Sequence, residues 1–343
     1  LDSYHLDYSD IDFGGDNEEE RCKLGEGAQV MRAAPRTSTQ QTTDPFPFPR
    51  CIRRFGTVFK ATFRGEREVA VKTMRVAKIT QHELAKFKAE LIIMAPLHHP
   101  NLVRLWGGVW NEGADKLCIV LEFCANGSLK SFLKEDPGTW AGVRHGLAIG
   151  TAKGLAYLHH ELAEPLIHRD VKPDNILVGE GVVAKLADFG ESRRFDRKDA
   201  RRNSAEGEDA LSMSMVGTKL YCAPEVMMMQ RYNESVDAFS FALVLLCLAV
   251  GDIGYVRKKG GIIARTAYFS GWRPTLSKTL RTVSQELAAL IEQMWLADFR
   301  ARPAMRDVVV RLEACSVVDR AAKSEAHPEE HSTSSQVDDQ TDD

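Results

Sequence analysis

The chain has 343 residues, of which 44% are hydrophobic, and its formal net charge is −3. This apolar fraction can bury a sizeable core, which excludes a chain that is disordered throughout. Acidic residues concentrate at both ends: residues 1–20 contain eight acids and no Lys or Arg, and residues 317–343 contain eight acids against two bases. The remainder is net basic, which favours anionic ligands.

Seven cysteines are scattered along the chain, without the spacing of a metal site. Their odd number favours free thiols in a reducing compartment, so we expect a cytoplasmic protein. No basic-then-apolar leader follows Leu1, which predicts no secretory signal, and the missing initiator Met leaves room for upstream domains or a membrane span. The longest apolar run, residues 238–250, is too short to cross a bilayer and indicates a buried helix.

Residues 1–44 lack sustained periodicity and are rich in acidic and small polar residues, which predicts a disordered arm. Residues 317–343 are predicted to form a disordered acidic tail for the same reason. A turn is predicted at residues 64–66, and strands are predicted over residues 55–63, 68–74, 102–110 and 117–123. Helices are expected over residues 82–97, 129–133, 140–160, 236–250, 284–295 and 305–314.

The run from 168 to 175, His-Arg-Asp-Val-Lys-Pro-Asp-Asn, combines groups that phosphoryl transfer requires. That reaction needs metal ions and a cation on the phosphates, and an aligned hydroxyl nucleophile. Asp170 can accept the hydroxyl proton, Lys172 can balance charge on the transferring group, and Asn175 offers an oxygen to Mg²⁺. Asp188 offers a second metal ligand, and Gly190 would allow a sharp backbone turn beside it.

These segments, with Ala-Pro-Glu at 223–225, resemble the catalytic-loop, DFG and APE signatures of the eukaryotic protein kinase family. The resemblance covers residues 55–314. It implies an α+β, bilobal protein kinase fold, with a small antiparallel-sheet N-lobe that carries one helix and a larger, mainly helical C-lobe. The kinase domain is expected over residues 45–316, with the N-lobe at 45–123 and the C-lobe at 124–316.

The resemblance also implies nucleotide-binding roles, with ATP and Mg²⁺ as cofactors. Lys72 would hold the α and β phosphates and Glu90 would pair with it. Glu122 and Cys124 would bond adenine through their backbone, next to the gatekeeper Leu121. The other residues expected around the nucleotide are Ala70 and Leu177, which would sandwich the ring, and Gly56 and Val58 of the phosphate-covering loop.

Lys172 stands where serine/threonine kinases carry lysine, and the Gly-Thr pair at 217–218 resembles the same class. The Gly-Trp-Arg-Pro run at 271–274 resembles the tyrosine-kinase-like group, and Arg302 is the expected partner of Glu225. The expected function is therefore transfer of the ATP γ-phosphate to serine or threonine hydroxyls of protein substrates in signal transduction. No nucleic acid is expected as a partner, and no membrane segment is expected in this chain. It could also be the kinase part of a larger receptor or multidomain protein.

The phosphate-covering loop departs from the family motif G-x-G-x-x-G-x-V. Counting back from Gly56 places Cys51 and Arg53 at the first two glycines, and prolines at 45, 47 and 49 oppose a preceding strand. One interpretation is divergence, with nearby arginines contacting phosphate; the other is a mispredicted splice junction that replaced the native first strand. The altered loop also leaves an alternative function, a pseudokinase scaffold with impaired ATP binding.

Between Gly190 and Ala223 lie 32 residues that include several serines. A phosphate on Ser212 or Ser214 could pair with Arg169 and order this segment. An upstream activating kinase would then be a further partner. The alternative is a disordered loop with incidental serines.

Overall fold

The computed structural model describes residues 1–14, 21, 23–26, 57–74, 80–113, 116–136, 138–195, 219–228, 230–256, 271–276 and 284–315. Within these ranges a sheet-rich N-lobe precedes a mainly helical C-lobe, which confirms the predicted bilobal fold. No helix in the described ranges combines the length and the apolar character needed to cross a membrane.

The N-lobe sheet has six strands in the described part of the chain, all paired antiparallel. They are β1 (Ile11–Asp12), β2 (Lys23–Glu26), β3 (Thr57–Phe63), β4 (Arg67–Thr73), β5 (Leu105–Val109) and β6 (Cys118–Glu122). The order is β1-β3-β4-β6-β5, and β2 also pairs with β3. The turn predicted at residues 64–66 joins β3 to β4, and Arg64 and Gly65 have φ angles of 52° and 69°.

The outer edge of β3 is covered by two short strands from the N-terminal part of the chain. Ile11 of β1 lies opposite Phe63, and Glu26 of β2 lies opposite Thr57, so the two strands follow one another along this edge. The expectation of a disordered arm over residues 1–44 is therefore wrong for residues 1–14 and 23–26. The expectation that no strand precedes β3 is wrong as well, and the N-lobe extends upstream of residue 45.

Helix α1 (Gln81–Met94) is the helix of the N-lobe. It begins with a capping box: Thr80 Oγ1 accepts from the Glu83 N–H at 3.2 Å, and the Glu83 carboxylate accepts from the Thr80 N–H at 2.9 Å. Its buried residues, four positions spaced as one helical face, are Phe87, Glu90, Leu91 and Met94. Glu90 is thus a carboxylate on an otherwise apolar face, which requires a buried partner.

The C-lobe is built around one helix that is buried along most of its length. Its helices are α2 (Leu129–Glu135), α3 (His145–His160), α4 (Pro224–Met227), α5 (Ser235–Val250), α6 (Gln285–Met294) and α7 (Met305–Ala314). Its short strands are β7 (Leu166–Ile167), β8 (Ile176–Val178), β9 (Ala184–Leu186) and β10 (Arg193–Arg194). Residues 236–248 of α5 are all buried, as the apolar run predicted.

One ion pair ties distant parts of this lobe together. The guanidinium of Arg302 donates to both carboxylate oxygens of Glu225, with the longer bond at 3.0 Å. Both side chains are almost fully buried. Since Glu225 belongs to α4 and Arg302 precedes α7, the pair fixes the segment that follows residues 196–218 to the base of the lobe.

Replacement of Phe13 by alanine tests the place of the N-terminal residues in this fold. The Phe13 ring is 7% exposed and lies edge-on to Phe59, with ring centroids 6.1 Å apart. We expect the free energy of unfolding to fall by about 3 kcal/mol, because a buried aromatic ring is removed from a cluster at the sheet edge. Urea denaturation measures this change.

Val310→Ala, at a residue that is 65% exposed, is the control and should change the free energy of unfolding by less than about 0.5 kcal/mol. Equal effects of the two substitutions would contradict the packing of the N-terminal residues.

Candidate active site

The buried partner of Glu90 is Lys72. Lys72 lies in β4, opposite Val58 of β3, and its Nζ donates to Glu90 at 2.7 Å and to Asp188 at 3.2 Å. The three side chains are only 9–14% exposed. Three residues that are far apart in sequence therefore form one buried charged cluster.

Burial and charge oppose one another in this cluster. Burial would lower the pKa of Lys72, but Asp188 and Glu90 outweigh it, and the pKa is raised. Burial would raise the pKa of Asp188, but Lys72 and then Lys172 outweigh it and hold that pKa below its ordinary value. The pKa of Glu90 is raised, because its burial outweighs the attraction of Lys72. Lys72 is therefore a cation at neutral pH, and Asp188 is the more strongly ionised of its two partners.

The backbone at Asp188 adopts a left-handed conformation, with φ 65° and ψ 77°. The sharp turn expected at Gly190 thus falls two residues earlier, on a residue that carries a side chain. A left-handed conformation costs a non-glycine residue about 1–2 kcal/mol. The contact with Lys72 and the burial of Phe189 offset this cost.

The catalytic-loop residues converge on Asp170. Lys172 Nζ donates to its carboxylate at 2.6 Å, and Asn175 Nδ2 donates to the same oxygen at 2.7 Å and to the Asp170 carbonyl at 2.9 Å. Burial raises the pKa of Asp170, and Lys172 offsets only part of that rise. The loop thus presents a carboxylate that is suited to accept a proton beside a fixed cation.

The donor set near this loop fits Mg²⁺. Asn175 Oδ1 is buried and accepts no hydrogen bond within the described residues. Such an orphaned oxygen is costly unless a cation or a donor approaches it. Asp188 supplies an ionised carboxylate, and carboxylate and amide oxygens are ligands that Mg²⁺ accepts.

Asp237 of α5 anchors the backbone of the catalytic loop. Its carboxylate accepts from the N–H groups of His168 and Arg169, each at 2.8 Å, and from His159 Nε2, also at 2.8 Å. His168 itself is fully buried, and its ring packs against Phe189 with centroids 5.2 Å apart. The loop that carries Asp170 is therefore fixed to the most buried helix of the C-lobe.

The residues expected around adenine lie at the junction of the two lobes. Ala70 of β4 is opposite Leu121 of β6, and Cys124 packs with Leu121 and Leu177 in a small apolar cluster. The Glu122 N–H is already bonded to a carbonyl oxygen at 2.9 Å. The Cys124 N–H donates to no group in the described part of the chain, so it is available to a ligand.

Sequence reasoning missed the start of the phosphate-covering loop. Gly25 of β2 lies opposite Val58 of β3, and residues 25–28 read Gly-Glu-Gly-Ala. The second half of the motif, Phe-Gly-Thr-Val, follows at 55–58, after 26 intervening residues. The register of β2 against β3 favours Gly25 and Gly27 over Cys51 and Arg53 as the positions of the first two glycines.

The signal that could have revealed this loop is the Gly-x-Gly at 25–27. It directly follows Lys23 and Leu24, a polar and an apolar residue in the alternation that is typical of a strand. It was hidden because the motif is split and because proline-rich sequence stands between its halves. The strand that was thought to have been replaced is present as β2. The interpretation that a splice error replaced this strand is therefore wrong. The pseudokinase scaffold stays an alternative that no observation favours.

Several expected site residues lie outside the described residues: Cys51, Arg53, Gly56, Ser212, Ser214 and Thr218. Arg169, the expected partner of a phosphate, donates to the Glu191 carbonyl at 2.5 Å and to the Tyr232 hydroxyl at 3.2 Å. Neither acceptor is anionic, so its positive charge is not neutralised by these two contacts.

Substitution of Asp237 by asparagine tests the anchoring of the catalytic loop. Burial would raise the pKa of Asp237, but His159 and His168 outweigh it, and the folded-state pKa is lowered. The carboxylate therefore stabilises the fold above its unfolded pKa of about 4, and this contribution is lost as the pH falls through the folded-state pKa.

We expect Asp237→Asn to lose about 3 kcal/mol of unfolding free energy at neutral pH and progressively less in acid. Urea titrations from about pH 7 to about pH 2 measure this trend. Asp307→Asn, at an exposed side chain, is the control, and a loss that does not depend on pH would contradict the role of the charge.

Comparison with known proteins identifies related chains. Serine/threonine-protein kinase 12 of Arabidopsis thaliana is 32% identical over 76% of this chain and 54% of its own length. Serine/threonine-protein kinase STY17 of Arabidopsis thaliana is 29% identical over 81% of this chain and 45% of its own. A G-type lectin S-receptor-like serine/threonine-protein kinase of the same organism is 38% identical over 57% of this chain and 23% of its own. The chain thus spans between about a quarter and about half of the length of these relatives.

The family model described as protein kinase domain matches residues 54–311. The match starts at residue 54, the last of the 26 residues between the two glycine-containing segments, so it leaves out β1 and β2. It includes Lys72, Glu90, Asp170 and Asp188. Because this match covers most of the chain, the chain belongs to the eukaryotic protein kinase family.

Proposed function

We propose that this chain is an ATP-dependent protein kinase that phosphorylates serine and threonine hydroxyls. The observation that carries the proposal is the simultaneous contact of Lys72 with Glu90 and Asp188, at 2.7 and 3.2 Å. It joins the sheet, α1 and the loop after β9 in one arrangement. A cation for the phosphates and a ligand for the metal are thereby held next to each other.

The phosphate groups of ATP are held from the N-lobe side. Lys72 contacts the α and β phosphates, and Glu90 keeps its ammonium directed at them. Asp188 and Asn175 would hold Mg²⁺, which would neutralise phosphate charge when bound. The low pKa of Asp188 keeps this carboxylate ionised and ready to act as a ligand.

The substrate hydroxyl is activated from the C-lobe side. Asp170 orients the hydroxyl and accepts its proton as the new O–P bond forms and the bond to the β,γ-bridging oxygen breaks. Lys172, 2.6 Å from Asp170, stabilises negative charge on the phosphoryl group in transit. The serine/threonine class is supported by this lysine and by the names of the relatives.

Adenine is held by the segment after β6. The Cys124 N–H, which has no partner among the described residues, donates to the base. Ala70 and Leu177 cover its two faces, and Leu121 limits the depth of the pocket. The Glu122 carbonyl is the group expected to accept a hydrogen bond from the base. The Glu122 carboxylate is already engaged, because it pairs with Lys185 at 2.8 Å.

The phosphate-covering loop is assembled from two separated halves. Gly25 and Gly27 provide the first two glycines, and Gly56 provides the third. The register of β2 against β3, with Gly25 opposite Val58, supports this assignment. Glycines suit these positions because their backbone amides can approach the phosphates closely.

We place this activity in the cytoplasm. We assign the chain to the tyrosine-kinase-like group of the family. Five cysteines of the described residues are free thiols, which supports a reducing compartment. Protein substrates and ATP are the partners that the proposal requires, and an upstream kinase would be a further partner if phosphorylation of residues 191–222 activates the chain.

Asp170→Asn tests the assignment of the proton acceptor. We expect kcat for phosphate transfer to a protein substrate to fall by about 100-fold or more, because the acceptor is lost. The affinity for Mg²⁺–ATP should change by less than about threefold, because Asp170 does not contact the nucleotide in this mechanism. Radiolabel transfer and a thermal-shift titration measure the two quantities. Asp136→Asn, an exposed residue whose hydrogen bond to Gly138 asparagine can keep, is the matched control. ATP binding by the unmodified protein with no transfer would indicate a scaffold.

Deletion of residues 29–54 tests the two-part loop. The deletion joins Ala28 to Phe55 and gives Gly-Glu-Gly-Ala-Phe-Gly-Thr-Val, which matches the family motif at every glycine. We expect KM for ATP to fall by about tenfold, because the amides of both halves can then close over the phosphates. As a control, Gly25→Val and Gly27→Val together in the deleted chain should reverse the gain. Unchanged ATP affinity after the deletion would contradict the assignment, and sequencing of transcripts across codons 28–55 would show whether a shorter form is made.

A further inference from the structure

The first thirteen residues form a strap across the back of the N-lobe, which we call the N-terminal strap (residues 1–13). Leu6 N–H donates to the Gly108 carbonyl of β5 at 3.0 Å, and His5 packs its ring edge-on against Trp110 at 4.7 Å. The strap then continues into β1 on the far edge of the sheet, where Asp10 pairs with Arg64 at 3.1 Å. The strap therefore contacts both edges of the sheet that carries Lys72, at β5 and at β3.

The strap lies close to β5 because Gly107 has no side chain. A Cβ at Gly107 would lie 2.5 Å from the Tyr4 carbonyl oxygen and 2.7 Å from Leu6 Cγ. Its φ of 158° is also one that L-residues rarely adopt. The absence of a side chain at Gly107 thus accommodates the strap, which indicates a specific contact between the two segments.

The strap also reaches the end of helix α1. Tyr4 Oη donates to the carbonyl oxygen of Ala95 at 2.6 Å. Ala95 is the C-cap of α1, where carbonyls lack partners within the helix, so Tyr4 satisfies one of these orphan acceptors. Leu91, one turn earlier, lies over Gly108, the residue that also bonds Leu6. The strap and α1 therefore meet at the same point of β5.

The bond between Tyr4 and Ala95 lies near Glu90 along α1, and Glu90 belongs to the charged cluster with Lys72 and Asp188. Glu90 precedes Ala95 by five residues, or about 7.5 Å along the helix axis. A shift of this end of α1 by one or two ångströms would separate Glu90 from Lys72, because their bond is only 2.7 Å long. The N-terminal end of α1 is closed by its own capping box between Thr80 and Glu83.

We propose that Tyr4 is a positioning residue for phosphate transfer. By holding the Ala95 carbonyl, it fixes the C-terminal end of α1 and so keeps the Glu90 carboxylate on Lys72. The effect on the reaction rests on the proposed kinase activity; the effect on α1 does not.

Tyr4→Phe tests this proposal because it removes only the hydroxyl. We expect kcat/KM for ATP to fall by about fivefold, the size of effect that one hydrogen bond has on an equilibrium, with KM for the protein substrate unchanged. Amide hydrogen exchange in α1 should accelerate by a similar factor, while exchange in α7 stays the same. Tyr8→Phe is the matched control, since the Tyr8 hydroxyl has no hydrogen-bond partner in the described part of the chain.

A double-mutant cycle separates positioning from general stability. If Tyr4 acts through Glu90, Tyr4→Phe should have no further effect on kcat/KM in the Glu90→Gln background. An equal loss in both backgrounds, an effect no larger than that of Tyr8→Phe, or unchanged exchange in α1 would overturn the proposal. If no phosphate transfer is measurable, the exchange experiment alone decides it.

Discussion

The ammonium of Lys72 is shared by two carboxylates, and much of the molecule is arranged to keep it so. An unpaired charge at 12% exposure would be strongly destabilising, and removing either partner leaves the other charge uncompensated. The sheet, α1 and the loop at Asp188 must therefore meet at one point. This constraint explains why α1 carries a carboxylate on its apolar face and why Asp188 adopts a left-handed backbone conformation.

A second buried carboxylate holds the other half of the site in place. Asp237 fixes the backbone beside Asp170 through two amides and is itself held by His159. Asp170 and Asp237 differ in how their surroundings change the pKa of the carboxylate. Burial of Asp170 raises its pKa and so makes it a better proton acceptor, whereas the pKa of Asp237 is lowered and its carboxylate holds two backbone amides and His159. The carboxylate proposed to accept the proton and the carboxylate that anchors the loop thus differ in their hydrogen-bond partners.

Local sequence was enough to predict much of this arrangement. The catalytic loop, the residues around Asp188 and the buried run of α5 were visible because their residues are close together in sequence. The contact between Tyr4 and Ala95 was not visible, because it joins residues 91 positions apart through a main-chain carbonyl. The turn at Asp188 was assigned to Gly190 because glycine is the usual residue there, whereas the contact with Lys72 outweighs that preference.

The pairing of β2 with β3 across 30 residues shows why local patterns failed at the start of the domain. Loop-closure entropy grows slowly with length, so lengthening the link between β2 and β3 from four to 30 residues costs about 2 kcal/mol. The pairing of β2 with β3 and the cover of the sheet edge by β1 can offset a cost of this size. The fold therefore tolerates the insertion, and a motif defined by fixed spacing does not. If Gly25 and Gly27 belong to the phosphate-covering loop, as we propose, the consequence falls on their amides, and so on ATP affinity more than on the architecture that holds Lys72.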